Sequence, residues 1–152
     1  ASFKDLRLHK SFVESFDVLN ATPFKEHDFF WINLRTSHLL WAGGPSAPHQ
    51  DFVIAVDRNK KGCGIWKFSE ATFSDDFSSY ISDVGYLANS EDDVRVLGTL
   101  CQLLIPIPVR EFGIRREADR SWVCSDGDSH NPWKVTLSLD ETGKLVDFSH
   151  SL

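Results

Sequence analysis

Apolar positions along this chain change period several times, and each change predicts an element. Leu6, Phe12, Val13, Phe16 and Leu19 recur at helical spacing behind Ser2-Phe3-Lys4-Asp5, a hydroxyl followed three residues later by an acid as in a capping arrangement. The pattern predicts a helix from about 3 to 19, stopped by Asn20 and Pro23. Phe29-Phe30-Trp31-Ile32-Asn33-Leu34 is short, aromatic and partly β-branched, which predicts a strand. Arg35 to His38 would turn the chain and Leu39-Leu40-Trp41 would return it, ahead of a loop over Gly43-Gly44-Pro45-Ser46-Ala47-Pro48-His49. Phe52-Val53-Ile54-Ala55-Val56 is the clearest strand. A turn over Arg58 to Gly62 and an answering strand from Cys63 to Phe68 complete a hairpin over 52–68.

The second half starts with helices. Ser74 is the expected cap of a helix whose apolar face is Phe77, Tyr80, Ile81 and Val84, with Gly85 as its stop. Ser90 is the expected cap of another, with Val94, Leu97, Leu100, Cys101 and Leu104 facing the core. Pro106 ends it and holds Ile105-Pro106-Ile107-Pro108 extended. Trp122-Val123-Cys124 is a strand candidate. Val135 to Leu139 alternates with period two, Asp140-Glu141-Thr142-Gly143 turns, and Lys144 to Phe148 comes back. This order is segregated α+β. The expected architecture is one domain over 1–152: a mostly antiparallel sheet of about five to seven strands, packed by an N-terminal helix and two central helices. No linker, repeat or low-complexity run interrupts Phe3 to Phe148.

Charge adds a feature that periodicity does not show. Between Ser69 and Asp93 lie Glu70, Asp75, Asp76, Asp83, Glu91, Asp92 and Asp93, and not one Lys or Arg. The chain totals −6 at pH 7, so the remainder is close to neutral. Phe73, Phe77, Tyr80 and Tyr86 are threaded through the acidic segment. Helix dipoles account for carboxylates in first turns, each by about 0.3–1 kcal/mol. They do not account for the missing cations, which helix C-termini would welcome.

Twelve Phe and five Trp are more than one small core needs, so one or two Trp are expected to be partly exposed. Cys63, Cys101 and Cys124 are odd in number and form no C-x-x-C pair, which points to free thiols and a cytoplasmic setting. There is no apolar stretch near the ~18 residues a membrane span needs. Ala1-Ser2-Phe3-Lys4 lacks the apolar run of a signal peptide. The absence of Met fits both a removed initiator and a piece of a longer protein.

Candidate chemistry is sparse. Asp126-Gly127-Asp128-Ser129-His130 has the alternation of a cation loop without the rest of an EF-hand, and turn chemistry explains it. The Gly43-Gly44-Pro45 loop matches no phosphate cradle. Cys124 with His130 would make a nucleophile pair only if the fold joined them. Arg58, Lys60, Lys61 and Lys67 fit a solvated hairpin tip, while Glu111, Glu117 and Asp119 nearly cancel Arg110, Arg115, Arg116 and Arg120, so nucleic acid is not an expected partner. No catalytic constellation, metal or cofactor is expected.

The leading expectation is a non-enzymatic protein-binding domain, adaptor, immunity-like or regulatory, that meets a basic partner. Glu70, Asp75, Asp76 and Asp83 would supply the charge, with Trp66, Phe73, Phe77 and Tyr80 as exposed aromatic anchors. In outline, Ile65-Trp66-Lys67-Phe68 followed by a Ser/Asp-rich helix resembles small bacterial immunity-type proteins, and no residue role is carried over from that likeness. The alternative is a small-molecule-binding protein or small enzyme with an aromatic-lined cavity under a curved sheet. Trp31, Trp41, Trp122 and Trp133 would line it, and His38, Asp128 or His130 would point inward.

Overall fold

The computed structural model describes residues 2–8, 21, 23–35, 49–60, 64–105, 112–125 and 133–151. Among the described residues, eight strands and two α-helices follow one another as β1 (Ser2–Leu8), β2 (His27–Arg35), β3 (His49–Asp57), β4 (Ile65–Ser69), α1 (Phe73–Val84), α2 (Glu91–Leu104), β5 (Gly113–Ala118), β6 (Ser121–Ser125), β7 (Lys134–Leu139) and β8 (Leu145–Ser151). The class is α+β, as the segregated order predicts. The sheet is not single: β1-β2-β3-β4 and β5-β6-β7-β8 form two four-stranded antiparallel meanders, one on each side of the helical segment in sequence.

The N-terminal helix is corrected over Ser2–Leu8, which is strand β1, with Leu8 opposite Phe30 and Leu6 opposite Ile32. Leu6 and Leu8 fit period two as well as a helix, and β2 offers them an edge. Residues 9–20 lie outside the described residues, as do 36–48 with the expected return strand and Gly-rich loop, 61–63, 106–111 and 126–132. Strand β5 has no apolar alternation, because Arg115, Arg116 and Glu117 all stand exposed on an edge that needs only one pairing side.

The 52–68 hairpin is present, with Phe52 opposite Ser69 and Val56 opposite Ile65. Val53, Ala55 and Phe68 are buried on one face of it. Helix α1 lies against both β4 and β8 and so bridges the two sheets. Its contacts are aromatic: Phe68 meets Tyr80 edge-on at 5.1 Å between ring centres, and Phe77 meets Phe148 at 4.6 Å. Such pairs contribute about 0.5–1.5 kcal/mol beyond their buried area. Gly85 ends α1 at φ 69°, a left-handed position that a side chain would strain. Helix α2 buries Val94, Leu97, Leu100, Cys101 and Leu104, the predicted face, and one continuous apolar cluster joins both sheets through the helices.

Candidate functional site

Three of the seven clustered carboxylates have internal work. Asp76 Oδ2 accepts the Ser69 backbone N–H at 3.1 Å and the Thr72 hydroxyl at 2.7 Å, which ties the Glu70–Thr72 turn to the start of α1. Ser74 is not the cap. The cap position is Thr72, and Ser74 lies inside the helix with its Oγ 2.7 Å from His150 Nδ1 on β8. Asp93 Oδ2 accepts the Asn89 N–H at 2.8 Å, while the Asp93 N–H donates to Ser90 Oγ at 3.2 Å, so the predicted Ser90 cap is present. Asp83 Oδ2 accepts the indole N–H of Trp66 at 2.9 Å. Glu70, Asp75, Glu91 and Asp92 remain on the exposed surface, with Glu91 at 4.0 Å from Arg95.

The aromatic anchors sit elsewhere. Phe73, Phe77 and Tyr80 are each 0% exposed, which corrects their expected place on the surface. The 3.6-residue period that puts the acids outside turns these rings inside. Trp66 is half-buried beside them, 5.0 Å from Tyr80 and stacked on His27 at 5.3 Å. Leu87, in the connection between the helices, is exposed.

Below this surface lies a buried polar joint that no sequence motif marks. His27 Nδ1 is 2.6 Å from the Tyr80 hydroxyl, and His27 Nε2 is 3.7 Å from Asp57. An Nε2–H facing the Asp57 carboxylate leaves Nδ1 to accept from the Tyr80 O–H. Burial lowers the His27 pKa against the pull of Asp57, and burial raises the Tyr80 pKa. Both groups therefore stay neutral at pH 7, joining β2 to α1 rather than exchanging protons with solvent.

A surface cleft of about 200 Å³ opens where the Asp119-Arg120 turn, the Asp140–Gly143 turn and the segment entering α2 converge. Its wall includes Arg116, Arg120, Trp122, Ser90, Asp140 and Glu141. The Arg116 guanidinium donates to Asp119 at 2.6 Å and lies 5.6 Å from the centre of the Trp122 ring. Asp140 Oδ1 accepts from Thr142 N–H, Thr142 Oγ1 and Lys144 N–H at 2.6–3.0 Å, which holds its carboxyl below the usual range. Arg120 has φ 64°, left-handed backbone in a residue other than glycine, and its carbonyl accepts the Leu139 N–H at 2.9 Å. Such a position costs about 1–2 kcal/mol. A two-residue turn between β5 and β6 is the signal that could have marked it.

Trp122 reaches this cleft half-buried, whereas Trp133 is buried against Phe112 at 5.2 Å, its indole N–H unbonded among the described residues. Trp41, His38, Asp128 and His130 lie outside the described residues, and only the backbone of Trp31 is described. Cys124 is buried and its thiol is pushed up to about 12 by burial, the opposite of an activated nucleophile. The Cys101 thiol is also raised by burial. Among the described residues no three His, Cys, Asp or Glu side chains gather to hold a metal ion, and no helix is long and apolar enough to cross a membrane. No protein-family model, curated protein or solved structure matches the chain.

Proposed function

We propose that this domain is a non-enzymatic protein-binding module whose acidic helical surface engages a basic partner. The observation that supports the reading is the charge on the exposed positions of one segment. Glu70, Asp75, Asp83, Glu91 and Asp92 are exposed, and no cation lies between Ser69 and Asp93. Helix-dipole chemistry covers Asp75, Glu91 and Asp92, which lie in first turns. It does not cover Asp83. That residue sits in the last turn of α1, where the dipole disfavours a carboxylate and the turn itself holds no basic residue. The Trp66 N–H holds it there, so an indole edge and an exposed charge share one spot.

Trp66 and Leu87 take the anchoring role in this proposal. The core aromatics Phe73, Phe77 and Tyr80 act behind them by making the acidic platform rigid, which lowers the ordering entropy of association. Charge of this kind chiefly raises the association rate, and salt screens it.

The test is a salt-resolved pull-down, followed by stopped-flow association with the purified partner. The variant is Glu70→Lys with Asp75→Lys, which spares the hydrogen bonds of Asp76, Asp83 and Asp93. Slowing by about tenfold or more at low salt, fading at high salt, is the expected result. Equal rates for variant and wild type would exclude the acidic surface as the docking site.

A further inference from the structure

The charges of the Trp122 cleft are not all accounted for by its own hydrogen bonds. Arg116 is neutralised by Asp119, and Asp140 is engaged by the backbone and hydroxyl of its own turn. Arg120 and Glu141 remain. Both are exposed, both line the cleft, and neither side chain has an ion-pair or hydrogen-bond partner among the described residues. They carry opposite charge in one cleft and form no ion pair with each other. A ligand with a single charge would satisfy one of them and crowd the other, whereas a ligand with both charges satisfies both.

Two further observations narrow the ligand. The cleft, about 200 Å³, is smaller than the roughly 300–1,000 Å³ pockets that hold drug-sized molecules. The two carboxylates of the Asp140-Glu141 turn oppose any polyanion, which removes nucleotides. The left-handed backbone at Arg120 has a bearing as well. Gly or Asn fits such a turn position without strain, so the turn by itself gives no reason for a guanidinium there.

We propose that this cleft binds a small zwitterion of the α-amino-acid type. The Arg120 guanidinium takes the carboxylate in a two-pronged hydrogen bond, Glu141 takes the ammonium, and the Trp122 ring covers the apolar part of the ligand. The cleft borders the acidic helical surface along Ala88–Ser90 but shares none of its residues, so the proposal does not depend on that reading.

The experiment is a titration of ¹⁵N-labelled protein with glycine, L-leucine and L-phenylalanine, following the indole N–H signals. The Trp122 signal is assigned by its loss in Trp122→Phe. Acetate, ethylammonium and N-acetyl-leucine serve as single-charge controls. Saturable movement of the Trp122 signal with the free amino acids, and at most weak movement with the controls, is expected. Glu141→Gln and Arg120→Gly should each weaken binding by roughly tenfold or more. Arg120→Gly should at the same time melt higher than wild type without ligand, because glycine relieves the turn, so lost binding cannot be lost folding. Equal binding of acetate or ethylammonium would replace the zwitterion site by a simple ion site. No movement with any amino acid up to its solubility limit, or unchanged binding in Arg120→Gly, would overturn the proposal.

Discussion

The Tyr80 hydroxyl of α1 lies 2.6 Å from His27 Nδ1 of β2, across 53 residues of sequence and with both side chains buried. This contact fixes the helix that carries Asp75 and Asp83 to the first sheet. Tyr80→Phe leaves the imidazole nitrogen unpartnered in a dry setting and should cost about 1–3 kcal/mol, read as a shift in urea midpoint at unchanged slope. A loss under half a kcal/mol would mean that the hydrogen bond carries nothing.

The same histidine sets a pH dependence. Burial lowers its folded-state pKa below 6.5, so the unfolded chain takes up the proton more readily. His27 therefore withdraws no stability above pH 6.5, and its contribution is lost as pH falls from there through the lowered folded value. Glu26 and Asp57 favour the protonated form, while Arg58 and Lys60 oppose it. Urea midpoints from pH 7.5 to 5 should fall more steeply for wild type than for His27→Gln. Parallel curves would remove His27 as the cause.

Two turn positions have the same left-handed backbone and opposite expected signs. Gly85→Ala should destabilise by about 1 kcal/mol, since φ 69° favours glycine over a residue with a Cβ. Arg120→Gly, at φ 64°, should stabilise by about 1 kcal/mol. Thermal melts of both variants check the pair.

Helix α2 contains Gly98 in its interior, where alanine ordinarily adds about 1 kcal/mol of helix stability. Here a Cβ would stand 2.7 Å from the Phe112 ring and 3.2 Å from Cys124 Sγ. Overpacking costs about 1–3 kcal/mol, which outweighs the propensity gain, so Gly98→Ala should lower the melting temperature. The companion Phe112→Leu should recover part of that loss.

In a Cys63→Ser background, the Cys101 and Cys124 thiols should resist a disulfide reagent at pH 8 until the protein unfolds, because both are buried and held protonated. Rapid labelling in the folded state would contradict that burial.

Local chemistry was enough for much of this protein. The Ser90 cap, the Gly85 stop, the core face of α2, and the 52–68 and 135–148 hairpins follow from short-range spacing and turn residues, which act within a few positions of themselves. The acidic run was legible for the same reason. The tertiary structure decided what depends on distant partners. Ser2–Leu8 became a strand because β2 supplied an edge, and charged β5 became one because β6 did. Phe73, Phe77 and Tyr80 turned inward because β4 and β8 offered Phe68 and Phe148 to pack against. His27 met Tyr80, and Arg120 and Glu141 came to line one cleft, through the pairing of elements far apart in the chain. Long-range contacts of this kind are set by which faces remain to be buried once the local elements exist, and a linear pattern does not encode that choice.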